Sequence, residues 1–109
     1  MIEKRVEICT LLDFYGKLLT PKQLDFMHKY FELDKSLAEI GDEAGVSRQA
    51  VKDAISVSEK VLYSFEDKLG LARKYKVLQN DISKIIDTLM TSKDINAAID
   101  HLKELSNNL

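Results

Sequence analysis

The sequence has few of the residues that interrupt helices or crosslink a chain. Its 109 residues include one proline, four glycines and one cysteine, Cys9. A single cysteine excludes a disulfide within the chain and is typical of proteins from a reducing compartment. Charged residues interrupt the N-terminal segment, and no apolar run is long enough to cross a bilayer. We therefore expect a soluble cytoplasmic protein without a signal peptide or a membrane span.

An excess of positive charge is also missing, since the formal net charge is −2. Basic and acidic residues balance over residues 1–35 and over residues 61–109. The net negative charge comes entirely from residues 36–60, which contain three basic and five acidic residues. Because non-specific nucleic-acid affinity comes mostly from neutralised phosphates, this composition predicts weak DNA binding by a single chain.

The sequence lacks the residue constellations that carry out catalysis or hold metal ions. His28 and His101 are far apart along the chain, and neither has the spacing of a metal ligand with Cys9. There is no phosphate-binding loop and no glycine-rich nucleotide motif. We expect a protein that is not an enzyme, with no catalytic residue, no metal site and no cofactor.

What the sequence does contain is a series of helix signals. Apolar periodicity predicts a first helix over residues 3–16. Capping boxes at Thr20–Gln23 and at Ser36–Glu39 predict the starts of the second and third helices. Ser47 is placed to cap a fourth helix, and nothing breaks the pattern of that helix before Gly70. These signals predict an all-α fold.

Residues 37–55 have the features of a helix-turn-helix motif. Such a motif needs a small residue where its helices cross, positive φ in the turn and an apolar residue that fills the corner. Gly41, Gly45 and Val46 meet these needs in that order. Together with the Ser47 cap, they favour this motif over an ordinary pair of helices joined by a glycine turn. The outer face of the second helix then carries the candidate nucleic-acid-binding residues Ser47, Arg48, Gln49 and Lys52.

After Gly70 the apolar residues follow a narrower, heptad-like spacing of 3, 4, 3 and 4 residues. This spacing is typical of a coiled-coil seam rather than of a broad globular face. The seam either joins two chains or packs inside one chain, and Ser92 is placed to cap a last helix beyond it. We therefore divide the chain into a helix-turn-helix domain over residues 1–70 and a C-terminal helical extension over residues 71–109. The candidate dimerisation residues are Tyr75, Leu78, Ile82, Ile85 and Leu89.

Three segments resemble the bacterial YlxM-like family of small helix-turn-helix proteins: Asp13–Gln23, Leu37–Gly41 and Val46–Val51. The resemblance covers roughly residues 8–70. That family is itself similar to the fourth region of sigma-70 factors, which reads a promoter element. The resemblance implies an all-α, sigma-70 region 4-like core with a long C-terminal helical extension, and a homodimer. It also implies a regulatory role associated with the signal recognition particle pathway.

These features leave two functions open. In the first, DNA or RNA is the partner, Arg48 and Lys52 contact phosphates or a base edge, and Gln49 pairs with an adenine. In the second, the helix-turn-helix is only a scaffold, and the chain is an adaptor that binds other proteins, such as components of the signal recognition particle. Three further lysines either add phosphate contacts or belong to a solvated face: Lys22, Lys29 and Lys35.

Overall fold

A computed structural model describes residues 2–109 of the chain. Every regular element within this range is helical, which confirms the predicted all-α fold. A 3-10 turn follows the first helix, and π-helical turns over His28–Glu32 and Thr88–Ser92 extend the second and the fifth. The chain divides into an N-terminal unit, which ends at Ala72, and a C-terminal unit over residues 73–109. The α-helices are α1 (Ile2–Tyr15), α2 (Pro21–Met27), α3 (Leu37–Ala44), α4 (Arg48–Leu69), α5 (Leu71–Asp87) and α6 (Ile95–Asn107).

A single apolar core holds the N-terminal unit together. Burying one leucine or isoleucine side chain contributes about 1.5–3 kcal/mol, so a cluster of this size can stabilise a small unit by itself. The long helix α4 crosses this core and buries Val51, Ile55 and Leu62 in it. The buried apolar residues of the cluster are Ile8, Leu11, Leu12, Tyr15, Leu19, Phe26, Met27, Phe31, Ile40, Val51, Ile55 and Leu62.

Two positions that periodicity places inside the unit are exposed. Val6 shares a helical stripe of α1 with Leu12, and Leu12 is buried as this periodicity predicts, but Val6 is 59% exposed. Ala44 ends α3 beside the turn, where no neighbouring helix covers it, and it is exposed as well. Periodicity therefore shows which residues share one face of a helix, while the packing of the neighbouring helices determines which part of that face is buried.

The predicted helix starts are confirmed by their hydrogen bonds. Thr20 Oγ1 accepts from the Gln23 N–H at 3.2 Å, and the Gln23 side chain accepts from the Thr20 N–H at 3.0 Å. Ser36 and Glu39 exchange the corresponding pair at 3.1 and 3.2 Å. Each box satisfies two backbone donors that a helix N-terminus otherwise leaves unpaired.

Arg5 of α1 caps the end of the second helical segment. Its guanidinium donates to the carbonyl oxygens of Tyr30 and Phe31 at 3.2 and 2.8 Å. The same guanidinium lies 3.2 Å from a carboxylate oxygen of Asp34, whose φ is 58°. These contacts supply donors to carbonyls at a helix C-terminus, and they tie α1 to α2.

A second long-range contact fixes the start of α5. Gly70 ends α4 with φ of 63°, and the chain enters α5 at the next residue. The fully buried Tyr15 donates its hydroxyl proton to Glu66 Oε1 at 2.7 Å and accepts from the Leu71 N–H at 3.0 Å. Glu66 Oε1 also accepts from the Ala72 N–H at 3.0 Å. Burial and the hydrogen bond to Glu66 raise the pKa of Tyr15, so the hydroxyl stays protonated at neutral pH.

The C-terminal unit is a helical hairpin with a thin core. Ile85 and Ala98 are its buried apolar residues, and His101 Nε2 lies 3.4 Å from Asp81 Oδ1 across the pair of helices. The predicted Ser92 cap is wrong, because the π-helical turn continues through Ser92, whose hydroxyl donates to the Thr88 carbonyl.

The last helix begins two residues later than predicted, with a different cap. Lys93 takes positive φ of 56°, which turns the chain out of the π-helical segment. Asp94 then caps α6, since its carboxylate accepts from the Ala97 N–H at 3.0 Å. A carboxylate at this position also interacts favourably with the partial positive charge of the helix N-terminus.

Candidate nucleic-acid interface

The turn between α3 and α4 has the close packing that a helix-turn-helix requires. Gly45 has the left-handed conformation, with φ of 70°. A Cβ atom at Gly41 would lie 2.7 Å from the Val46 carbonyl oxygen, so only glycine lets the turn approach α3 this closely. The Gly41 carbonyl accepts the N–H groups of both Gly45 and Val46. The turn is thereby fixed, and with it the direction in which α4 leaves.

All four predicted nucleic-acid-binding residues are exposed at the start of α4. Ser47 is the cap of this helix, since its hydroxyl oxygen accepts from the Ala50 N–H at 3.0 Å. Arg48 and Lys52 lie one helical turn apart and make no ion pair within residues 2–109. The helix N-terminus therefore presents two cations whose charge no acidic side chain of the described chain neutralises by direct contact.

Gln49 has a partner on its own helix. Its side-chain Nε2 donates to Asp53 Oδ1 at 2.9 Å, which sets the orientation of the amide. The amide still has its carbonyl oxygen and one N–H to offer to another molecule. The partner of Asp53 is thus an uncharged amide, and no cation of the described chain pairs with this carboxylate.

The acidic residues just before the turn differ in their surroundings. Glu43 accepts from Lys35 Nζ at 2.6 Å with one carboxylate oxygen, and its other oxygen lies 3.2 Å from Lys29 Nζ. Lys29 also lies 3.0 Å from Asp25. The hydrogen bonds from Lys35 and Lys29 lower the pKa of Glu43, and the hydrogen bonds to Asp25 and Glu43 raise the pKa of Lys29. Asp42 is exposed and has no such partner among the described residues.

The set of Lys29, Lys35 and Glu43, with Asp25 beside it, is a feature that the sequence did not reveal. We call these four residues the Glu43 cluster. Asp25 and Lys29 have the i, i+4 spacing of a helix, but Lys35 and Glu43 are eight residues apart and Lys29 belongs to a different helical segment, so no local spacing rule connects Glu43 with the two lysines. Two of the lysines considered as part of a solvated face are therefore held in ion pairs, while Lys22 Nζ lies 5.7 Å from the centre of the Phe26 ring.

Comparison with known proteins places the chain in a family. A family model described as "Putative helix-turn-helix protein, YlxM / p13 like" matches residues 2–102. The chain belongs to this family. The match spans both units, and the description agrees with the glycine turn and the capped second helix.

Several relatives support this membership over 80% or more of the chain. A protein of the same family, UPF0122, from Geobacillus kaustophilus is 46% identical over 87 residues, which cover 80% of this chain and 79% of the relative. One from Oceanobacillus iheyensis is 41% identical over 105 residues, or 96% of this chain and 99% of the relative. The YofM protein of Lactococcus lactis is 38% identical over 104 residues, or 95% and 94% of the two chains.

The residues of the predicted seam of this YlxM-like chain differ in their burial. Ile85 is 4% exposed and packs inside the C-terminal unit, whereas Ile82 is 44% exposed. Tyr75 and Leu89 are exposed to a similar degree, and Leu78 is half-buried. Much of the apolar surface along α5 is therefore left uncovered by the rest of this unit.

The single cysteine of the YlxM-like chain has a structural environment. Cys9 is partly buried, and its thiol donates weakly to the Phe31 carbonyl at 3.8 Å. Burial raises the pKa of this thiol, which disfavours the reactive thiolate.

Within residues 2–109, no three His, Cys, Asp or Glu side chains form a group that could hold a metal ion. None of the described helices is both long and apolar enough to cross a bilayer.

Proposed function

We propose that this chain is a non-enzymatic, cytoplasmic regulatory protein that binds nucleic acid through the start of α4. The observation that carries the proposal is the pair Arg48 and Lys52, exposed one turn apart on the second helix of a helix-turn-helix and without an ion-pair partner in the described chain. In this motif the second helix enters the major groove with its N-terminal residues against the base edges.

Each residue of this surface has a distinct part in the proposed complex. Arg48 and Lys52 contact phosphates or a guanine edge, and the hydroxyl of Ser47 donates to a phosphate while its oxygen keeps the cap. The oriented amide of Gln49 pairs with an adenine, which needs one donor and one acceptor. The uncompensated charge of Asp42 and Asp53 opposes these contacts, so a single chain binds weakly at physiological salt.

The proposal is tested by removing the two cations together. We expect Arg48→Ala with Lys52→Ala to weaken binding to a duplex DNA or RNA by roughly tenfold or more, measured by gel retardation or fluorescence anisotropy. The matched control is Lys60→Ala with Lys68→Ala, which removes the same charge from other exposed positions of α4. Equal losses in the two double variants would show that α4 does not read nucleic acid through its N-terminus.

Dimerisation through α5 is a further part of the proposal, because two copies place two reading helices on successive half-sites. Ile82 on α5 and Leu89 in the π-helical turn that follows it support this part of the proposal, since both apolar side chains are more than 40% exposed. We expect Ile82→Asp with Leu89→Asp to give a folded monomer in analytical ultracentrifugation. Ile85 is unsuitable for this test because it is buried, and its replacement unfolds the unit itself. A folded dimer of the double variant would contradict dimerisation through this seam.

A protein–protein adaptor is the second candidate function, and the same exposed apolar residues on α5 favour it. The resemblance to YlxM-like proteins makes components of the signal recognition particle the first partners to test. Capture of purified signal recognition particle protein and RNA, with and without nuclease, separates the two functions. Capture that survives nuclease supports the adaptor, and capture that requires intact RNA supports nucleic-acid binding.

A further inference from the structure

The Glu43 cluster resembles an occupied anion site. Two ammonium groups from different segments converge on one carboxylate, and each of its oxygens faces a different lysine, at 2.6 Å for Lys35 and 3.2 Å for Lys29. The Lys29 side chain is only 22% exposed, so its position is restricted by packing as well as by charge. The lowered pKa of Glu43 agrees with a carboxylate held in its ionised form by two cations.

A phosphodiester group has the charge and the oxygen atoms to take the place of this carboxylate. It carries one negative charge and two free oxygens, which can bridge two ammonium groups as the oxygens of Glu43 do. An ammonium group has three N–H donors, so Lys29 can keep its contact with Asp25 while a phosphate replaces Glu43.

The cluster also lies where a helix-turn-helix meets the nucleic-acid backbone. Glu43 is on α3, the first helix of the motif, and Lys35 directly precedes the Ser36 cap of that helix. In complexes of this motif the first helix crosses the sugar-phosphate backbone while the second enters the groove. A phosphate that reaches α3 therefore approaches the two lysines.

We propose that Lys29 and Lys35 form a binding site for a backbone phosphate of nucleic acid, and that Glu43 occupies this site in the free protein. The carboxylate competes with the phosphate and so reduces both the affinity and its salt dependence. This inference rests on the proposed function, because it takes nucleic acid as the partner that the α3 side of the helix-turn-helix meets.

The test compares two isosteric substitutions that remove the same charge from adjacent positions. In the full chain, Glu43→Gln frees the two lysines, whereas Asp42→Asn removes a carboxylate that has no partner among the described residues. Affinity for a fluorescent random-sequence DNA duplex is measured by anisotropy at several salt concentrations. We expect Glu43→Gln to steepen the slope of log affinity against log salt by about one to two for each bound protomer. Asp42→Asn is expected to raise affinity and to leave that slope unchanged.

A triple variant shows whether the lysines cause the effect. Adding Lys29→Ala and Lys35→Ala to Glu43→Gln returns the slope to the wild-type value if they form the site. Equal slopes for Glu43→Gln and Asp42→Asn, or a steep slope that persists in the triple variant, would overturn the inference. Circular dichroism melting of each variant verifies that it is folded.

Two further measurements separate this inference from its alternatives. If Arg48→Ala with Lys52→Ala leaves binding unchanged while Glu43→Gln still steepens the slope, the proposed reading helix fails and the phosphate site stands. Inorganic phosphate, titrated into the Glu43→Gln protein at constant ionic strength and followed by NMR shifts of the lysine side chains, tests for a small-anion site. Weak, unsaturated shifts are expected, and saturation at micromolar phosphate would overturn the assignment to a nucleic-acid backbone.

Discussion

The two units of the chain differ most in how much apolar surface each buries for itself. The N-terminal unit encloses a cluster that includes fully buried Ile8, Met27 and Leu62, and the C-terminal unit buries Ile85 and Ala98. Amphipathic helices occur in both units, with α3 and α4 in the first and α6 in the second. The difference shows that an amphipathic helix is stable only where another surface covers its apolar face, because an isolated helix of this length is marginal in water.

Separating the two units is expected to show the largest difference in their stability. A fragment of residues 1–72 keeps the Leu71 and Ala72 N–H groups that bond Tyr15 and Glu66, and we expect it to unfold cooperatively on its own. A fragment of residues 73–109 is expected to lose most of its helicity when dilute, since little apolar surface is buried within it. Circular dichroism with urea, at several protein concentrations, checks both expectations. A C-terminal fragment whose unfolding is cooperative and independent of concentration would show that this unit has a sufficient core of its own.

Equivalent truncations of one side chain in each unit are expected to differ in their cost. Leu62→Ala empties a fully buried position, and we expect it to lower the free energy of unfolding of the chain by about 3 kcal/mol. Ile82→Ala removes a half-exposed side chain, and a loss below about 1 kcal/mol is expected in a monomer. Chemical denaturation at two protein concentrations measures both. A larger loss for Ile82→Ala that grows with concentration points to a partner chain on α5.

The turn of the helix-turn-helix provides a test that depends on backbone packing alone. Gly41→Ala forces a Cβ atom against the Val46 carbonyl, and we expect a loss of about 2 kcal/mol in urea unfolding. Gly45→Ala meets no atom within 4 Å, and its cost of about 1 kcal/mol comes from the left-handed backbone. The reverse order of the two losses would show that α3 and α4 do not cross as closely as described.

The smallest expected effect concerns the contact that anchors the start of α5. Tyr15→Phe removes the hydroxyl between Glu66 and the Leu71 N–H and is expected to cost about 1 kcal/mol. Tyr30→Phe is the control, because the Tyr30 hydroxyl has no hydrogen bond within residues 2–109. Thermal melts of both variants measure the difference, and equal melting temperatures would show that the Tyr15 hydroxyl contributes nothing to stability.

Much of the N-terminal unit could be predicted because its signals are local. The capping pair Ser36–Glu39, the left-handed Gly45 and the Ser47 cap each involve residues within three or four positions of one another. At that distance the backbone geometry of one helical turn decides which groups can meet. The same reasoning failed at Ser92, because the π-helical turn lengthens α5 and moves the cap to Asp94.

The composition and local patterns of this sequence determined that the chain is helical, where most of its helices begin, and that α3 and α4 meet through a glycine turn. They could do so because caps and turns depend on neighbouring residues. Three contacts emerged only from the packing of the helices: Arg5 caps the end of the second segment, Tyr15 anchors the start of α5, and Glu43 pairs with two lysines. Those contacts join residues that are distant in sequence or on different segments, and their partners are selected by the packing of whole helices.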